Sequence, residues 1–121
     1  MEEFGYEKLD VYQCSMEFLA SAFQLIDKLP KGFAHLADQL KRASLSIPLN
    51  VAEGSGKSSP QERRRFFEIA RSSALECSAI INCAKTLKLA DHSLLEQFSK
   101  EIAAKRWVLL RAAIAGDRRV S

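Results

Sequence analysis

Apolar side chains recur at steps of three and four residues through most of the chain, which is the period of an amphipathic helix. The period is interrupted near residues 30–33 and 54–59, where proline and glycine occur, and again near residues 90–91. The pattern therefore predicts an all-α chain of four helices, at about residues 11–29, 34–53, 60–89 and 92–115. The apolar row of the third helix has the spacing of bundle packing, which predicts a four-helix bundle.

The segment between the second and third helices carries the clearest boundary signals. The glycine-serine stretch at 54–56 ends the second helix, and "SPQE" begins the third. In that stretch Ser59 is the predicted cap, Pro60 the first helical residue and Glu62 the third. A capping box of this kind stabilises a helix by on the order of 1 kcal/mol.

Pro48 lies inside the predicted second helix. It has no amide hydrogen to donate to the carbonyl of Ser44, and its ring presses against that carbonyl. The sequence therefore predicts a kink late in the second helix.

Apolar residues cover most of the circumference of the first helix, more than one neighbouring helix would bury. We interpret part of this surface as an interface between subunits, formed by Met16, Phe18 and Phe23, together with Trp107 and Leu110 of the fourth helix. A wide core face is the alternative explanation.

A row of polar residues runs beside the apolar row of the second helix. Gln39, Ser46, Asn50 and Glu53 follow one another at steps of seven, four and three residues, which places them on one face. Such a row is either solvated or hydrogen-bonded to a facing helix. With Glu76 of the third helix, these residues are the predicted structural polar network.

Length and composition fit one domain covering residues 1–121, with an N-terminal arm at about 1–10 and a short basic tail at 116–121. Five glycines and three prolines are few for the many turns of an all-β protein. Charges break the apolar runs well before the roughly 20 residues that a membrane span needs, and the acidic N-terminus is unlike a signal peptide. We expect a cytoplasmic protein without a membrane partner.

Charge is unevenly distributed, with a sum of −4 over residues 1–40, +4 over 41–71 and +3 over 72–121. A basic middle segment beside an acidic start suits an anionic partner. The predicted nucleic-acid contacts are Lys41, Arg42, Lys57, Arg63, Arg64 and Arg71. The consecutive arginines spread around the helix, so at most two face one surface. The alternative for each is solvation with local pairing, for example of Arg64 with Glu68.

No group of residues has the spacing of a catalytic or metal site. His35 and His92 are far apart, and neither belongs to a Glu-x-x-His pair. The stretch "GSGKSS" is too short for a phosphate-binding loop. Cys14, Cys77 and Cys83 lack CxxC spacing and are expected to be buried, reduced thiols. We expect no enzymatic activity, no metal and no cofactor.

Three stretches, "LDVYQ", "QLKRASLSIPLNVAEGSGKSS" and "ERRRFFEIARSSALE", carry a family resemblance. The chain resembles the bacterial four-helix bundle proteins encoded in intervening sequences of 23S ribosomal RNA genes. That family includes the accessory variability determinant of diversity-generating retroelements. The resemblance implies an up-down four-helix bundle that assembles into a ring of five, with a basic character suited to nucleic acid.

The functional expectation is therefore a non-catalytic homo-oligomer, pentameric by the resemblance, that binds RNA or DNA. We assign Phe66 and Phe67 to the core, so base stacking is not indicated and binding is expected through backbone phosphates with little sequence preference. The alternative is a ring that binds another protein, as a scaffold or adaptor for a nucleic-acid enzyme such as a polymerase.

Overall fold

The computed structural model describes the backbone of residues 10–114 and the side chains of residues 10–103. Four helices make up the structure: α1 (Asp10–Ile26), α2 (Ala34–Ser55), α3 (Pro60–Thr86) and α4 (His92–Ile114). No strand occurs in this part of the chain. The predicted N-terminal arm and basic tail lie outside the described residues, apart from Asp10, which begins α1.

Short connections make consecutive helices neighbours. α1 packs on α2, α2 on α3 and α3 on α4, and α4 returns to α1, whereas the Cα atoms of the diagonal pairs do not come within 8 Å of each other in the described residues. This is the arrangement of an up-down four-helix bundle. The α2–α3 turn lies at one end of the bundle, and the other two turns lie at the opposite end. Among the described residues, no helix is both long enough and apolar enough to span a membrane.

The predicted starts of the helices are confirmed within one residue, whereas α1 and α3 end three residues earlier than predicted. α3 ends early because Lys88 adopts a left-handed conformation, with φ of 56°. The amide of Leu89 then donates to the Ala84 carbonyl at 3.1 Å, and the Lys88 amide donates to the Lys85 carbonyl. These two bonds close a Schellman motif, in which glycine normally occupies the left-handed position.

The α3 cap predicted at Ser59 is confirmed. Its backbone is extended, and its hydroxyl accepts a hydrogen bond of 3.4 Å from the Glu62 amide. Pro60 follows as the first helical residue, where its missing amide hydrogen removes no helical bond. The cap therefore determines where the chain turns from α2 into α3.

α2 continues as a helix through Pro48, which is buried. Next to this position the Ser44 side chain is fully buried, and its hydroxyl donates to the Leu40 carbonyl at 2.7 Å. The kink expected at Pro48 remains a prediction.

The core is formed by apolar residues of all four helices. Its largest fully buried side chain is Phe67, and Leu25, Leu40, Ile81 and Leu95 are buried to a similar degree. Continuous burial along each helix gives the bundle one core rather than separate clusters.

Phe18 belongs to this core, which corrects its assignment to a subunit interface. Only 4% of Phe18 is exposed, and its ring centroid lies 5.1 Å from that of Phe98 on α4. α1 carries more than one apolar row, and α4 covers the row that contains Phe18. Phe18 is therefore unavailable to a neighbouring subunit.

Gly54 allows α2 and α3 to approach closely at the turn. A Cβ atom at this position would lie 2.8 Å from the Cβ of Phe66 and 3.3 Å from the Arg63 carbonyl oxygen. Both are backbone or near-backbone atoms, so a side-chain rotation cannot relieve the contact. The glycine is thus required by helix packing.

We expect Gly54→Ala to lower the free energy of unfolding by about 1–3 kcal/mol, the range for overpacking a core. Urea denaturation followed by circular dichroism measures the change. Gly56→Ala is the matched control, because its Cβ would meet only carbonyl oxygens at 3.6 and 4.0 Å. Equal stabilities of the two variants would contradict the close-packing role of Gly54.

Candidate nucleic-acid interface

The basic residues nearest the α2–α3 turn surround the partly buried ring of Phe66. The Lys57 ammonium lies 5.1 Å from the centroid of this ring, and the Arg65 guanidinium carbon lies 6.0 Å from it. Cation–π attraction of this kind holds both cations near the ring. Phe66 was predicted to be a core residue, and its partial exposure corrects that prediction. Phe67, also predicted to be a core residue, is confirmed as one, with no exposed surface.

Arg63 turns back to the loop that precedes α3. Its Nη1 donates to the Lys57 carbonyl at 3.0 Å and to the Ser58 carbonyl at 2.9 Å. These carbonyls belong to the turn and not to a helix, so the guanidinium satisfies acceptors that would otherwise need water. Arg63 thus has a structural role in the turn, and its contact with nucleic acid remains a prediction.

We expect Arg63→Gln to lower the free energy of unfolding by about 1–3 kcal/mol, because two charge-assisted bonds to the turn are lost. Thermal and urea unfolding measure the loss. Arg64→Gln is the matched control. Its ion pair with Glu68 is exposed, and such pairs contribute about 0.3–0.5 kcal/mol. If both substitutions cost the same, Arg63 does not stabilise the turn.

Arg64 points to solvent on the outer surface of α3. Its Nε lies 3.6 Å from the Glu68 carboxylate one helical turn away, which is the local pairing that the sequence left open as the alternative to nucleic-acid contact. About half of each side chain is exposed. The pair is therefore weak enough to exchange for another anion.

The remaining predicted contacts lie away from the turn. Arg42 is exposed and Lys41 half-buried on α2, about 20 Å along the helix axis from its end at Ser55. Arg71 is half-buried on α3, and its Nε is buried without a hydrogen-bond partner among the described residues. The six predicted contacts therefore do not form one patch. Lys57, Arg64 and Arg65, which lie near the α2–α3 turn, form what we call the basic edge.

The polar network between α2 and α3 is smaller than predicted. The Ser73 hydroxyl donates to the Ser46 hydroxyl oxygen at 2.7 Å. The Asn50 amide group donates to the same oxygen at 3.0 Å and to the Ser46 carbonyl at 2.7 Å. Ser73, which the sequence analysis did not assign to this network, is its α3 member. Ser73 interrupts the apolar row of α3 between Ala70 and Cys77, which was the available signal.

Gln39, Glu53 and Glu76 are exposed and do not join these bonds, which corrects their assignment. Beside Glu53, α2 meets α3 through Gly54 and Phe66, an apolar contact that offers no partner to its carboxylate. A charged group stays in water unless burial supplies such a partner.

A shallow groove of about 530 Å³, largely open to solvent, runs along the outer surface of α3. This α3 groove is lined by Gln61, Arg64, Arg65, Glu68, Ile69, Ser72, Ser73 and Glu76. Two residues of the basic edge thus form part of its wall.

In a comparison with protein families, residues 7–109 match the model described as 23S rRNA-intervening sequence protein. The chain belongs to this family. The match covers all three stretches that carry the resemblance. A comparison with curated proteins finds no match.

Several apolar side chains of this family member remain exposed on the outside of the bundle. Met16 is 42% exposed and Phe23 36% exposed, both on α1, as an interface role requires. Trp107 and Leu110, the other predicted interface residues, have side chains outside the described range. Leu45 and Leu49 of α2 are also exposed, at 40% and 62%, and the sequence analysis did not single them out. Their spacing of four residues, on a helix face that is otherwise polar, was the sequence signal for their exposure.

The three thiols of the family member differ in exposure, which corrects the expectation that all are buried. Cys77 is buried, Cys14 half-buried and Cys83 exposed. Desolvation, with a smaller contribution from the nearby Glu76 carboxylate, raises the pKa of Cys77 from 9.0 to about 12. Cys77 is therefore an inert core residue. No group of three or more metal-ligating side chains occurs within residues 10–103.

The raised pKa of Cys77 predicts loss of stability at high pH. Between pH 9.0 and about 12 the thiol ionises in the unfolded chain but not in the folded one. Its stabilising contribution is thus complete below pH 9.0 and decreases by up to about 1.4 kcal/mol per pH unit above it. Urea unfolding across this range should show a steeper decrease for the wild type than for Cys77→Ala. Parallel pH profiles would contradict the assignment.

Proposed function

We propose that this chain is a non-catalytic, homo-oligomeric four-helix bundle that binds nucleic acid through backbone phosphates with little sequence preference. The observation that carries the proposal is the basic edge. Lys57, Arg64 and Arg65 lie beside the first turn of α3, and two of them are held on the Phe66 ring. The positive end of the α3 dipole adds to their charge.

Phosphate suits this edge for a geometric reason. The arginines and the lysine extend from a helix surface without a deep pocket around them, and such cations contact a chain of phosphates one at a time. Each contact is weak and sensitive to salt. Membership in a family described by 23S rRNA intervening sequences is consistent with a nucleic-acid partner.

Repetition of the edge in an oligomer raises the affinity. The exposed side chains of Met16 and Phe23 support contacts between subunits, and we propose a ring of five in the cytoplasm. In such a ring the basic edge recurs about one axis, so a single nucleic-acid chain contacts several copies. A kink at Pro48 would adjust the end of α2 to this arrangement.

A salt titration tests the proposal. Fluorescence anisotropy with labelled RNA and DNA strands of different sequence should give similar affinities that fall linearly with the logarithm of salt concentration. Light scattering at the same protein concentration should give a mass of five subunits. A monomer would contradict the ring, and salt-independent affinity would contradict phosphate binding.

Exposed leucines favour the alternative function, a scaffold or adaptor for a nucleic-acid enzyme such as a polymerase. Leu45 and Leu49 lie one helical turn apart on α2, and Leu49 is the most exposed of the large apolar residues described. Such a pair suits a protein partner. Binding of a purified polymerase that is lost on changing both leucines to serine, without salt-dependent affinity for nucleic acid, would select this function.

A further inference from the structure

The side of α2 that faces away from the bundle carries a row of exposed residues with a symmetric order of chemistry. Arg42, Leu45, Leu49 and Glu53 follow one another at steps of three, four and four residues, which places them on one side of the helix. All four are exposed. We call these four residues the α2 row. It has a cation at its first end, two leucines in the middle and an anion at its last end.

The bundle itself provides no partner for the charges of the α2 row. Within the described part of the chain, neither Arg42 nor Glu53 forms an ion pair or a side-chain hydrogen bond. They are separated by about 16 Å along the helix, so they do not reach each other. The neighbouring side chains of Ser46 and Asn50 belong to the polar network with α3 instead. The row is therefore available for a contact outside its own chain.

We infer that the α2 row binds the α2 row of a second copy of this chain, with the two helices antiparallel across a twofold axis. In this register Leu45 lies against Leu49 of the second copy, and Arg42 lies beside Glu53 of the second copy. The twofold axis makes each of these contacts occur twice. The leucines exclude water from the centre of the contact, and the ion pairs lie at its two ends.

The order of charges selects the antiparallel arrangement. A parallel pairing in the same register would place Arg42 beside Arg42 and Glu53 beside Glu53, which is repulsive at both ends. The antiparallel pairing places opposite charges together at both ends. Asp38, one turn before Arg42, then lies beyond the end of the facing helix at Ser55, so it opposes no residue of that helix.

A second copy fits this row better than a nucleic acid or a different protein. A strand of phosphates would be attracted by Arg42 and repelled by Glu53, and it would leave both leucines in water. A protein partner would need an apolar pair between one anion and one cation at matching distances. The α2 row has that chemistry at those distances itself, because reversing its direction exchanges its charged ends.

This contact goes beyond the proposed ring. Subunits of a ring of five are related by a fivefold axis and not by a twofold axis, so the contact joins two oligomers rather than neighbours in one ring. It is about three helical turns long, which is smaller than a standard interface and makes the pairing weak. The association therefore increases with protein concentration and doubles the mass of the oligomer that the chain forms in dilute solution.

Charge reversal tests the register. Light scattering over a series of protein concentrations should show the wild-type mass rising towards twice its value in dilute solution. Arg42→Glu turns two attractions into two repulsions, so we expect an association constant about tenfold lower. Glu53→Arg should have the same effect. The double variant, and an equimolar mixture of the two single variants, should both restore the wild-type constant, because opposite charges again meet at both ends.

Two further variants separate this contact from general effects. Lys31→Glu makes the same change of net charge as Arg42→Glu, in the exposed α1–α2 turn, and it should associate as the wild type does. Leu49→Ser should lower the association constant on the order of 100-fold, because the leucine is lost from both copies. Circular dichroism checks that every variant is folded.

The outcomes separate this inference from the proposed function. A mass of five subunits at every concentration would overturn the inference and leave the ring intact, whereas a monomer in dilute solution that still doubles its mass would support the pairing and contradict the ring. Single reversals without effect, or a double variant that stays dissociated, would overturn the inference, because the two charges would then not meet. If Leu49→Ser abolishes binding of a purified polymerase and leaves the association constant unchanged, the α2 row binds that enzyme and not a second copy.

Discussion

Phe67→Ala is expected to lower the free energy of unfolding by about 3–5 kcal/mol, the range for removing a buried aromatic ring. Phe67 has no exposed surface and is the largest of the fully buried side chains. Its ring reaches beneath the α2–α3 turn, where a ring carbon would lie 3.4 Å from a Cβ at Gly54. Single domains have total stabilities of about 5–15 kcal/mol, so this substitution removes a large part of it.

Urea unfolding at 25 °C measures the effect, and two further variants interpret it. Phe67→Leu keeps much of the volume and should cost clearly less than alanine, because the cavity is smaller. Leu49→Ala removes an apolar side chain that is 62% exposed and should change stability by less than about 0.5 kcal/mol. A loss at Phe67 no greater than at Leu49 would contradict its place in the core.

Helix starts were predictable because local signals determine them. Ser59 caps α3 through its own hydroxyl, and Pro60 suits only the first turn, so neither depends on distant contacts. The end of α3 was less predictable. Lys88 adopts the left-handed conformation that glycine usually adopts at a helix end, and a lysine at that position does not indicate such a conformation.

The choice between neighbouring apolar residues depends on packing that the period leaves open. Phe66 and Phe67 both continue three- and four-residue rows through Ala70 and Cys77, so either row could face the core. Phe67 enters it, and Phe66 stays at the surface against Gly54 and two cations. The burial of Phe18 by α4 was undetermined for the same reason.

The roles of consecutive arginines depend on where the preceding turn places its carbonyl oxygens. Arg63 reaches the carbonyls of Lys57 and Ser58, whereas Arg64 pairs along the helix with Glu68. The Arg64 pairing follows from helix geometry alone and could be given from the sequence as the alternative to ligand contact. The Arg63 contacts follow from the path of a turn, which sequence spacing does not specify.

The basic edge should carry most of the proposed nucleic-acid affinity. Changing Lys57, Arg64 and Arg65 together to Gln is expected to lower the affinity on the order of 100-fold at low salt, and to reduce the slope of log affinity against log salt by up to about 3 per bound subunit. Arg63 is left in place because it holds the turn. Helix content and subunit number should therefore match the wild type.

A triple variant at the opposite end of the bundle separates local contact from net charge. Lys28, Lys31 and Lys88 are exposed in the α1–α2 and α3–α4 turns, and their change to Gln removes the same three charges. If charge acts only through the general field of the protein, both triple variants lose affinity equally, since that field depends on net charge more than position. If the basic edge contacts phosphate, only its own variant loses the steep salt dependence. Wild-type binding by the basic-edge variant at every salt concentration would leave the edge as solvated helix surface, and the adaptor function would replace the present proposal.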